Sequence, residues 1–160
     1  MSDNQSESTK DAVSVSRRTV LAAVGGITGV FGVGYATARS LARYGTVNGR
    51  LVIGYQTDDS TVVGHTDIFR EYIDADGPPD RQFNSDYREH FPAEPPITVS
   101  ASAYRALQQE FDEVVFALSH HCPNANCSTP QVDRDDFNQA KLGEEVGLLY
   151  HSGDSATLIR

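Results

Sequence analysis

LVIGYQTDDSTVVGHT, residues 51–66, holds two apolar, β-branched runs, 51–56 and 61–66, on either side of Thr57-Asp58-Asp59-Ser60. Runs of this kind around turn-forming residues predict a β-hairpin, and this one opens the folded part of the chain. Downstream, TDIFREYIDADG offers Thr66 or Asp67 as an N-cap. Ile68, Phe69, Tyr72 and Ile73 share a helical face, and Gly77 precedes Pro78-Pro79, so a helix is expected there. Residues 76–96 carry five prolines among scattered aromatics and read as a long ordered loop.

The second half alternates strand and helix signals. ITV (97–99) reads as a short strand. Ser100 or Ser102 caps a helix in which Ala103, Leu107 and Phe111 recur at i, i+4 and i+8. EVVFAL (113–118) reads as a buried strand. Asp133 caps RDDFNQAKLG, with Gly143 as its stop. VGLLY (146–150) and ATLIR (156–160) flank His151-Ser152-Gly153-Asp154-Ser155 as a second hairpin. Residues 51–160 therefore predict one small α+β domain of short strands, with two hairpins and about three helices.

Upstream of the hairpin, RSLARYGTVNGR (39–50) reads as a juxtamembrane linker broken at Gly45 and Asn48-Gly49. Before it, residues 19–38 are uncharged, and as a helix they would be about 30 Å long, the thickness of a bilayer core. Five glycines make this segment a poor buried helix, since each costs roughly 1 kcal/mol against alanine. Ser16-Arg17-Arg18 followed by Val20 and Leu21 resembles the start of a twin-arginine export signal. Ala36-Thr37-Ala38 resembles a small-residue cleavage site. The length favours a retained signal-anchor over 16–38; the alternative is secretion after cleavage near Ala38. Lys10, Arg17 and Arg18 on one side nearly balance Arg39, Arg43 and Arg50 on the other, so the positive-inside rule ties. The twin-arginine resemblance breaks the tie and implies a C-terminal domain outside the cell. Residues 1–15 are small and polar and read as disordered.

Composition narrows the partners. Of the 160 residues 22 are acidic and 13 basic, a formal net charge of −9, which argues against nucleic acid. Lys10 and Lys141 are the only lysines. Abundant aspartate with almost no lysine resembles proteins of salt-loving archaea, whose acidic surfaces work under heavy screening.

Chemistry concentrates in SHHCPNANCSTP (119–130), which holds both cysteines and two of the five histidines. A proline and two asparagines between Cys122 and Cys127 favour a tight reversal, and outside the cell two such cysteines pair. The other reading is a zinc or copper site using His120 or His121 with Cys122 and Cys127. Adjacent His120 and His121 point to opposite sides of an extended chain, so one ligates, and a further ligand must come from His65, His90, His151 or a carboxylate. The spacing is no zinc signature, a Rieske-type cluster needs a second Cys-and-His pair, and a thioredoxin-like site needs CxxC. Patterns for serine hydrolases, phosphate loops and dinucleotide binding are absent. The acid pairs Asp58-Asp59 and Asp133, Asp135, Asp136 read as solvated surface.

The sequence thus predicts a membrane-anchored accessory or binding domain on the outer face, stapled at Cys122–Cys127. It would have no catalytic residues and no cofactor. Its partners would be the membrane, through residues 19–38, and an unidentified protein. The rival is a metal-binding or electron-transfer domain. On the disulfide reading, serine at either cysteine destabilises the fold, and alanine at His120 or His121 barely matters.

Overall fold

A computed structural model describes residues 37–74, 77–123 and 126–159. The tail read at 1–15, and residues 16–36 of the signal-anchor reading, lie outside the described residues. Residues 37–41 are helical, and among the described residues no helix is long and apolar enough to cross a membrane.

The domain is α+β, built on one seven-stranded sheet whose strand ladders are all antiparallel. β1 (Arg43–Asp58) and β2 (Thr61–Tyr72) form the hairpin read from the sequence. Asp58 pairs with Thr61, and Asp59 and Ser60 between them have φ of 45° and 67°, the left-handed pair that a two-residue hairpin turn requires. β3 (Asp80–Phe83) extends the sheet beyond β2, and a 3-10 helix follows at Ser85–His90. α1 (Ala101–Glu110) leads into β4 (Glu113–His121), which pairs along β1. β5 (Gln131–Val132), α2 (Arg134–Gln139), β6 (Glu145–Tyr150) and β7 (Ala156–Ile159) complete the chain.

β1 organises the rest. Arg43–Thr46 pair with β6, the residues after them pair with β2, and the opposite edge carries β4. β4 passes to β5, whose Gln131 bridges Ser155 in parallel and donates its amide to Asp154 O at 2.7 Å. β7 returns through β6 to β1, so five strands close a circuit and few edges stay unpaired. The core holds Val47, Val52, Ile68, Phe69, Leu107, Phe116, Leu118, Phe137 and Leu148. Ser100 caps α1 by accepting from Ala103 N, and Asp133 caps α2 by accepting from Asp136 N, as the sequence predicts.

Five readings change. The linker read at 39–50 is mostly strand: β1 begins at Arg43, and Gly45, Val47 and Gly49 alternate inward. Of the helix read over 66–77, residues 66–72 are the far half of β2, and 75–76 lie outside the described residues. Ile68 and Phe69 are both buried because a bulge opposite Val52/Ile53 leaves Ile68 without a partner, and this adjacency imitates a helical face. ITV forms no ladder; the Asn138 side chain accepts from Val99 N at 2.7 Å and donates to Val99 O at 3.0 Å, standing in for a neighbouring strand. The long loop 76–96 contains β3 and the 3-10 helix. α2 is also shorter than its sequence signal, ending at Gln139.

Candidate functional site

β4 delivers the histidine-cysteine stretch. Its alternation buries His120, 4% exposed, and turns His121 outward, so the two adjacent imidazoles face opposite ways. Cys122 follows and is bonded to Cys127, with Cα atoms 5.7 Å apart. Arg43 at the start of β1 donates to Asn126 O at 2.6 Å and lies 5.1 Å over the Tyr150 ring, holding the loop against the sheet. Gly45 permits this closeness: a Cβ there would fall 2.3 Å from His121 O and 2.9 Å from both Cys122 Sγ and His120 Nε2.

His120 is held at both nitrogens. Val146 O, which can only accept, lies 3.4 Å from Nε2, so Nε2 carries the proton. Nδ1 then accepts from the Tyr150 hydroxyl at 3.0 Å, with Cys122 Sγ 3.5 Å away. Burial pushes the imidazole below its ordinary value, against hydrogen bonds to Val146 and Gly45 backbone that raise it, and His121 adds a smaller downward push. The Tyr150 phenol is pushed up, chiefly by burial.

His120, Cys122 and Cys127 bring one nitrogen and two sulfurs within 4.8 Å of one another. His121 lies outside that group. His65 sits beside Tyr55, His90 beside Tyr87, and His151 bonds Thr157 Oγ1 at 2.9 Å, so none of the three supplies a further ligand. With the sulfurs bonded to each other, no thiolate is available to a metal.

A second cluster was not foreseen. The burial alternation of β1 changes phase between Gly49 and Arg50, next to the register shift against β4, and this turns Arg50 into the core at 3% exposed. Its Nη1 donates to Glu71 Oε1 at 2.5 Å, its Nη2 to Ile97 O and Phe137 O at 2.9 Å, and its guanidinium lies 4.2 Å over the Phe137 ring. Glu71, 2% exposed, accepts at its other oxygen from Arg81 Nε at 2.8 Å. Burial pushes the Arg50 guanidinium down, and Glu71 opposes that. Arg50 Nε is buried with no hydrogen-bond partner among the described residues. The triad floors a cleft of about 370 Å³.

No family model, curated protein or solved structure matches this chain. Its function must be read from these two clusters. The first is a covalent clip with a neutral imidazole behind it. The second is a buried charged cluster lining an open cleft. Sequence reading missed the second because Arg50 fell in the supposed linker and Glu71 in the supposed helix. The available signal was Arg50 directly before the apolar run 51–56 and Glu71 between the apolar pairs Ile68-Phe69 and Tyr72-Ile73.

Proposed function

We propose that this chain is a membrane-tethered binding or accessory domain displayed outside the cell, stapled at Cys122–Cys127. The observation that carries the reading is the closed Cys122–Cys127 pair packed on Gly45 and His120. Such bonds persist in oxidising compartments and are rare where thiols are kept reduced. The Arg17-Arg18 pair and the apolar run 19–38 supply the export route and the anchor. The acidic surface fits a salt-loving source.

Fractionation with surface proteolysis tests the reading. The chain should pellet with membranes, resist an alkaline wash, and lose residues 39–160 to protease added to intact cells. A chain in the soluble cytoplasmic fraction, or one protected in intact cells, overturns the placement. A mature chain beginning at Arg39 replaces the anchor with secretion. The rival metal-binding or electron-transfer reading draws on the His120–Cys122–Cys127 cluster, with zinc or copper as the ion. It requires the sulfurs to be thiolates.

A further inference from the structure

We infer that the cleft above the Arg50–Glu71–Arg81 triad binds a small organic carboxylate with a short apolar tail. This names a ligand class for the binding role and rests on that reading.

The cleft, about 370 Å³, has the size of a small-molecule site. Its charge runs opposite to that of the molecule. Arg50, Arg81 and Lys141 line it against one carboxylate, Glu71, in a chain whose net charge is −9. Lys141 is one of only two lysines. Glu71 has little left to offer a further cation, because each of its oxygens already accepts from an arginine. The nearby Asp80 carboxylate is engaged by Gln82 and Tyr72. Arg81 gives only its Nε to Glu71, so among the described residues its terminal nitrogens and Lys141 Nζ have no acidic partner.

Arg50 itself is spent on the structure beneath the cleft: its terminal nitrogens serve Glu71, Ile97 and Phe137, and its Nε is buried out of reach of the cleft. A planar carboxylate matches the fork of the exposed end of Arg81, with Lys141 as a point charge beside it. The tail follows from the walls, which Pro79, Pro95, Pro96, Ile97 and Leu142 make largely apolar.

The test titrates the full chain in nonionic detergent, at constant ionic strength, with butyrate, 1-butanol, butylammonium and inorganic phosphate. The readout is the Nε–H resonances of the arginines. Butyrate should shift the Arg81 signal saturably at one site, and the other three should bind at least about tenfold more weakly. Arg81→Gln should weaken butyrate about tenfold, and Lys141→Glu, at an exposed position, should weaken it severalfold while leaving the melting temperature in place. Butanol or phosphate binding as well as butyrate overturns the ligand class. So does butyrate binding unchanged in Lys141→Glu and Arg81→Gln. A flat titration of chain that is membrane-bound and disulfide-closed removes the carboxylate and leaves the tethered module. Saturable binding by chain with free thiols removes the staple and leaves the cleft.

Discussion

Arg50 sits where a charge survives only with its partners: buried, bonded to Glu71 and to two carbonyls, and stacked on Phe137. Replacing Glu71 with Gln strands that guanidinium, and denaturant unfolding should show a loss of about 3–5 kcal/mol. The double replacement Arg50→Met, Glu71→Leu removes both charges and should lose much less; equal losses would contradict the pairing. His120 carries a prediction in pH. Its folded value lies below the ordinary 6.5, so the unfolded chain binds the proton more readily. Stability is therefore full above about pH 6.5 and declines as pH falls through the depressed value. His120→Asn should flatten that decline in melting curves taken between neutral and mildly acid pH. His121, outward on the strand, should change stability by no more than about 0.5 kcal/mol on conversion to alanine. Burial thus divides two histidines that the sequence reading treated alike, and alanine at His120 leaves a cavity beside Tyr150.

The strands and helices differ in how far they could be read. The β1–β2 turn was legible because Asp59 and Ser60 sit between clean apolar runs. The caps of α1 and α2 were legible because Ser100 and Asp133 stand immediately before amphipathic repeats. The far half of β2 was not, since a bulge that buries Ile68 beside Phe69 produces the spacing of a helix. The start of β1 was hidden by Gly45 and Gly49, which read as breakers but allow close packing against the disulfide and Ser119. Strand extent is set by partners distant in sequence, and local pattern does not contain them. The Cys122–Cys127 pairing was legible as one of two readings, from the turn residues between the cysteines and the expected outward placement, whereas the Arg50–Glu71 cluster depends on the bulge that rephases β1. Gly54 tests how β1 and α1 meet. A Cβ there would lie 2.5 Å from the Phe111 ring, so Gly54→Ala should cost about 1–3 kcal/mol through overpacking. Adding Phe111→Ala should make the Gly54→Ala change nearly neutral, and full additivity in that double-mutant cycle would reject the contact.

At the scale of the molecule, charge and covalent closure carry the account. Residues 39–160 hold 19 of the 22 acidic residues and 10 of the 13 basic ones. Self-repulsion should therefore lower the melting temperature in dilute salt, and molar salt, with a Debye length of about 3 Å, should restore it. A melting temperature indifferent to salt would reject the salt-loving reading. The central claim is the staple, because the outward placement rests on it and the metal reading excludes it. The direct measurement counts free thiols in chain isolated without reductant, unfolded in the presence of a thiol reagent, with metal content determined on the same sample. The account predicts no reactive thiol before reduction, two after it, and no stoichiometric zinc or copper. Two thiols before reduction, with one zinc or copper per chain protecting them, would contradict it.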